Sequence, residues 1–134
     1  MIKLLTIMEN LNIKIKSDQI FFPAIDFNYE TGLCEISGES FMEETFRFYE
    51  PIINWIKSYI SEKKPIVFNF KLTYFNTSSS RFLLEMLYVL KKYQEAGGNV
   101  TVNWYYKKQD ADMLSEINDF AEETEIKINV LHFK

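Results

Sequence analysis

The chain has 134 residues, the size of one domain with a core of its own. Apolar residues make up 47% and aromatics 16%; most aromatics fall on periodic apolar stripes, which reads them as core rather than as a stacking surface. The formal net charge is −4 and the fifteen Lys and Arg residues are scattered, so nucleic acid is excluded as the main partner, because neutralising phosphates takes clustered cations.

Cys34 is the sole cysteine, which excludes an intramolecular disulfide, and it reads as a half-buried strand residue. No apolar run approaches the ~20 residues that a membrane helix needs. Met1 to Asn10 has a short apolar run, but Glu9 interrupts it and no small-residue cleavage site follows. The expectation is a cytoplasmic protein without membrane insertion.

Leu11, Ile13 and Ile15 alternate with Asn12, Lys14 and Lys16, which predicts a half-buried strand over Leu11 to Lys16. Ile20 to Phe27 is a second apolar stretch, interrupted at Pro23. Tyr29-Glu30-Thr31-Gly32 is a turn, and Leu33 to Ser37 its hairpin partner, closed by Gly38.

From Phe41 the period becomes helical. Phe46, Tyr49, Ile53, Ile56 and Ile60 form one stripe, and Phe48, Ile52, Trp55 and Tyr59 a second. Pro51 predicts a kink there, or a second helix that starts with it. After Lys63-Lys64-Pro65, Ile66 to Phe75 is a long central strand, and its nearly continuous hydrophobicity predicts burial on both faces.

Ser78 to Ala96 is a helix with Phe82, Leu83, Met86, Leu87, Leu90 and Tyr93 inward, stopped by Gly97-Gly98. Asn99 to Tyr106 is a strand. Asp110 to Glu123 is a helix with Met113, Leu114, Ile117, Phe120 and Ala121 inward, and Ile126 to Phe133 a last strand. Strands alternating with helices predict an α/β fold, one sheet layer with helices packed on it and parallel crossovers. No linker divides the chain, so residues 1–134 read as one domain.

Catalytic signatures are sparse. His132 is the sole histidine, two residues from the end, and the sequence has no Cys/His or metal-ligand spacing and no phosphate loop. Asp110 and Asp112 read as an acidic helix start that complements the helix dipole. Nothing calls for a cofactor.

The junction Tyr74-Phe75-Asn76-Thr77-Ser78-Ser79-Ser80-Arg81 joins the central strand to the best-defined helix. Its plain role is capping, since Asn, Thr and Ser accept bonds from the N–H groups of a first turn. One residue suffices for that, and here Asn76 is followed by four hydroxyls. A phosphoryl group there would add roughly two negative charges and face the positive end of the helix dipole. Spacing leaves Thr77, Ser78, Ser79 and Ser80 open as acceptors.

This junction, together with Ile36-Ser37-Gly38-Glu39-Ser40, Phe48-Tyr49-Glu50-Pro51, Trp55, Val102-Asn103-Trp104-Tyr105-Tyr106, Asp110, Asp112 and Met113, resembles the SiaC family of bacterial regulatory phosphoproteins. The resemblance runs from about Leu11 to Phe133 and leaves the first ten residues as an extension. The chain departs from the family pattern in lacking a glycine near Glu116-Ile117 and a Pro-Phe in its last strand.

The resemblance implies a fold similar to STAS domains and anti-sigma factor antagonists, and no enzymatic activity. It implies phosphorylation of Thr77 by a partner-switching kinase of the GHKL type, a serine/threonine kinase, and removal by a PP2C-type phosphatase. Asn76, Thr77, Ser78 and Ser79 would form the switch junction, Asn76 shaping it and the N–H groups of Ser78 and Ser79 meeting the phosphate. The unphosphorylated form would bind an effector such as a diguanylate cyclase, in cyclic-di-GMP and biofilm signalling. The competing expectation is a constitutive STAS-like scaffold or small-ligand module without phosphorylation.

Overall fold

Period-two alternation and turn chemistry build the first half of the sheet. In a computed structural model, residues 8–14 and 21–134 are described. Strand β1 (Leu11–Ile13) pairs antiparallel with β2 (Ala24–Phe27). Of the expected strand residues, Ile15, Lys16 and Ile20 lie outside the described ones. Pro23 precedes β2, where its missing N–H interrupts no ladder.

The Tyr29–Gly32 turn forms as expected. The Gly32 N–H donates to the Asn28 carbonyl at 2.9 Å, and Gly32 holds φ +74°. A side chain there would meet the Pro65 carbonyl oxygen and the Tyr59 hydroxyl, so the turn needs glycine for both space and conformation. Strand β3 (Leu33–Ser40) follows, antiparallel to β2. Gly38 does not close it. The register with the next strand shifts between Gly38 and Glu39, Gly38 adopts φ +94°, and pairing continues to Ser40.

Helix α1 (Thr45–Ile60) merges the two expected stripes into one buried face of Tyr49, Ile52, Ile53, Ile56 and Tyr59. It is one helix, not two. Pro51 lies inside it on the exposed side, where the bond lost is the one to the Arg47 carbonyl. Phe46, expected inward, is 63% exposed, with its ring 6.3 Å from that of Phe82.

Strand β4 (Ile66–Phe75) spans the expected residues. Helix α2 (Thr77–Glu95), strand β5 (Val100–Tyr106) and helix α3 (Ala111–Thr124) lie within a residue of expectation. Strand β6 is shorter, Asn129–His132, and Ile126 before it is buried against the core.

The sheet order is β1-β2-β3-β4-β5-β6, antiparallel up to β3 and parallel from β3 to β6. Right-handed crossovers between strands laid side by side in chain order place α1, α2 and α3 on one face. A run of ring contacts confirms this, from Trp55 of α1 through Phe27, Phe68, Phe70 and Trp104 to Phe120 of α3. The expectation that β4 is buried on both faces is therefore corrected. Ile66, Phe68, Phe70 and Leu72 are buried under the helices, while Val67, Asn69 and Lys71 alternate onto the open face. There Asn69, Asn103 and Asn129 form a side-chain ladder, with bonds of 2.9 and 3.0 Å, and Lys71 pairs with Glu35 at 2.8 Å. Cys34, expected half-buried, is fully buried.

Candidate functional site

The junction between β4 and α2 is held from both sides of its turn. Asn76 is the N-cap, extended at φ −86° and ψ 173°, and its Oδ1 accepts from the Ser79 N–H at 2.9 Å. Its own N–H donates to the Ser40 carbonyl at 3.0 Å, and its Nδ2 donates to the Met42 carbonyl at 3.1 Å. One asparagine thus caps α2 and ties it to the segment that leaves β3.

The four hydroxyls that follow occupy different environments. Thr77 and Ser78 are exposed. Ser80 donates its hydroxyl to the Thr77 carbonyl at 2.7 Å. Ser79 is fully buried. Its hydroxyl lies 2.7 Å from Ser40 Oγ and 3.2 Å from the Ser40 carbonyl, and Ser40 Oγ lies 2.6 Å from Tyr49 Oη. One assignment satisfies every proton: Tyr49 donates to Ser40, Ser40 to Ser79, and Ser79 back to the Ser40 carbonyl. Burial pushes Tyr49 up to about 12, against smaller opposing pulls from the Ser40 and Ser79 hydroxyls.

The sequence placed Tyr49 on the apolar stripe of α1 and Ser40 in a stretch that resembles the family, but gave neither of them, nor Met42, a part in the junction. A signal existed for the buried cluster. The inward row Cys34, Ile36, Gly38 runs on to Ser40, and a step of four back from Leu83 on the α2 stripe gives Ser79. Two inward hydroxyls next to one another in the fold must find partners.

Around the junction the surface is aromatic. Phe41 lies 5.7 Å from Phe21 and 5.6 Å from Tyr74 between ring centres, and all three are nearly half exposed. Phe21, Phe22, Phe41, Met42 and Asn76 line a groove, with Glu43 and Glu44 at its rim. Phe75, the neighbour of Tyr74, turns inward against Trp104 and Phe120.

Asp110 and Asp112 line a second, shallow cleft beside Thr73, Tyr74 and Glu116. Asp110 Oδ1 accepts from the Met113 N–H at 3.0 Å, so it serves as the cap of α3. His132 does not line this cleft; its ring packs 4.8 Å from that of Tyr106 on β5. Among the described residues no group of three His, Cys, Asp or Glu side chains is placed to hold a metal, and no helix is long and apolar enough to cross a membrane. The Cys34 thiol is pushed well above its usual range by burial and, less so, by Asp26, which leaves it unreactive.

A mixed sheet with helices on one face, and a capped, hydroxyl-rich helix start at the end of its central strand, defines a small α/β module. The family model for SiaC family regulatory phosphoproteins matches residues 15–133, and the chain belongs to that family. The fold is that of SiaC. The crystal structure of apo-SiaC from Pseudomonas aeruginosa superposes with a TM-score of 0.84 at 22% identity, over 92% of this chain and 99% of that one. SiaC in the crystal structure of the diguanylate cyclase SiaD in complex with its activator SiaC, from the same organism, gives 0.85 at 21% identity, over 92% and 99%. An uncharacterised protein of Pseudomonas aeruginosa (strain UCBPP-PA14) is 24% identical over 102 residues, 75% of this chain and 81% of that relative.

Proposed function

We propose that this chain is a non-catalytic signalling switch, reversibly phosphorylated on Thr77, whose unphosphorylated form binds a protein effector. The observation that carries the choice of residue is the contrast within one turn of helix. Thr77 is exposed at the first position of α2, while the Ser79 hydroxyl is buried and hydrogen-bonded. A kinase can reach the first and not the second in the folded protein. Ser78, also exposed, is the competing acceptor, and Thr77 is preferred because the family resemblance selects the threonine that follows the asparagine. Membership of a family of regulatory phosphoproteins supports the reading.

The modifying enzymes in this proposal are a GHKL-type kinase and a PP2C-type phosphatase. The effector class is a diguanylate cyclase, supported by the related SiaC, which activates SiaD. The site of action is the cytoplasm. A phosphate on Thr77 brings roughly two negative charges to a surface that already carries Glu43 and Glu44, and apolar docking beside it is disfavoured.

The test is phosphopeptide mass spectrometry on the chain from its native cells under several growth conditions, followed by capture with Thr77→Ala and Thr77→Asp forms. The expected result is a phosphate at Thr77, and effector capture by Thr77→Ala at least tenfold above that by Thr77→Asp, a difference of about 1.4 kcal/mol. Equal capture by the two forms, with no phosphate found, supports the constitutive scaffold instead.

A further inference from the structure

The Asn76 carboxamide is bonded at both ends, and its ends serve different parts of the molecule. Oδ1 holds the Ser79 N–H of α2, and Nδ2 holds the Met42 carbonyl in the segment between β3 and α1. Met42 and Asn76 are also walls of the aromatic groove. The Phe41 N–H, next in the chain to Met42, donates to the Phe21 carbonyl at 2.8 Å and closes the same groove.

We propose that Asn76 is a positioning residue that transmits the state of Thr77 to this groove. The inference rests on Thr77 as the regulated hydroxyl and adds the route by which its modification is read. A phosphate on Thr77 stands at the first turn of α2, among N–H groups that seek an acceptor. The Ser79 N–H is held there by a neutral amide oxygen. A charged acceptor binds an N–H about twice as strongly as a neutral one, so the phosphate takes it.

The carboxamide that loses Ser79 loses its orientation, and with it the bond from Nδ2 to the Met42 carbonyl. The Phe41–Met42 segment then loosens against Phe21. The start of α2 does not move away. The Asn76 N–H remains on the Ser40 carbonyl, and the buried chain Tyr49–Ser40–Ser79 keeps the helix pinned to the end of β3. The hydroxyl cluster is the fixed base and the asparagine side chain the moving part.

Replacing Asn76 by serine or aspartate separates the two ends. Each supplies a capping oxygen for the Ser79 N–H, and all three residues rank alike as caps. Ionised aspartate has no donor for the Met42 carbonyl, and serine has one hydroxyl donor that ends a bond short of the place of Nδ2. The experiment uses the full chain with phosphothreonine installed at position 77 during synthesis, so it does not depend on any kinase. Amide hydrogen exchange is followed at Phe41 by NMR, in wild type and in Asn76→Ser, with Asn76→Asp as the second variant.

In wild type, phosphorylation is expected to raise exchange at Phe41 about fivefold, the worth of one net hydrogen bond. In both variants exchange at Phe41 is already raised before phosphorylation, and the phosphate adds no further change. An unresponsive Phe41 in wild type, or an equal response in wild type and variants, overturns the proposal. Failure of the phosphorylation reading would appear separately, as Thr77 unmodified in cells with this coupling intact.

Discussion

At the scale of single residues, the cluster of Ser40, Tyr49 and Ser79 makes the firmest demands. Each hydroxyl proton has an oxygen acceptor, Met42 Sδ lies 3.8 Å from both serine hydroxyls, and none of the three side chains is exposed. Ser79→Ala leaves the Ser40 hydroxyl only the weak sulfur acceptor of Met42 at 3.8 Å, and the loss expected in urea denaturation is about 1–3 kcal/mol. A loss under about 0.5 kcal/mol, the range of ordinary surface changes, would show that the cluster holds nothing in place. Tyr49 adds a pH dependence whose sign is fixed. Its pKa is about 12 in the folded chain and 10.0 for the free side chain, so its contribution is complete below pH 10 and lost as pH rises through 12. The total is about 2–3 kcal/mol at 1.36 kcal/mol per unit. Cys34, also raised by burial, acts in the same direction. Urea denaturation across pH 8 to 12 should therefore show a loss that Tyr49→Phe reduces and does not abolish. An identical pH profile in Tyr49→Phe would sink the assignment.

At the scale of elements, two backbone positions carry opposite predictions. Gly32→Ala introduces a methyl group against the Pro65 carbonyl and the Tyr59 hydroxyl at φ +74°, and the expected loss is more than about 2 kcal/mol. Pro51→Ala restores a donor inside α1 on its exposed side, and the expected gain is about 1–3 kcal/mol. Chemical denaturation measures both, and a neutral Gly32→Ala or a destabilising Pro51→Ala contradicts them.

These positions also mark where sequence patterns ran out. Strand β4 and helices α2 and α3 were legible to within a residue, because each carries a full apolar period bounded by a cap or a proline. Gly38 was misread as a strand end because a glycine that ends a strand and one that bends it through a register shift look the same in sequence. Pro51 left a kink or a second helix open, and the second helix does not occur because packing of Tyr49, Ile52, Ile53 and Ile56 outweighs one missing hydrogen bond. At the junction the hydroxyl run was legible as a place. That Ser79 faces inward was available from the α2 stripe, but its bond to Ser40 joins residues 39 apart and has no local signature.

At the scale of the whole molecule, one-sided helix packing sets how stability is distributed. Strand β4 is hydrogen-bonded to β3 on one side and β5 on the other, and it buries Ile66, Phe68, Phe70 and Leu72 beneath the helices. Opening it means parting the core that all three helices share. Strands β1 and β6 have three and four residues and stand at the two ends of the sheet order. Either can separate while the rest of the sheet stays closed. Native-state hydrogen exchange is therefore expected to show amides of Phe68 to Leu72 opening only with the free energy of global unfolding. Amides of Asn12 and of Val130 to His132 should open at a small fraction of it, with exchange that denaturant barely changes. The junction between β4 and α2 falls between these limits, being buried at Ser79 and exposed at Thr77, so Ser79 should exchange with the core and Ser78 with the surface. If Ser78 and Ser79 exchange at the same rate, the buried hydroxyl cluster does not pin α2, and the contrast that favours Thr77 over Ser79 as the modified residue loses its physical basis.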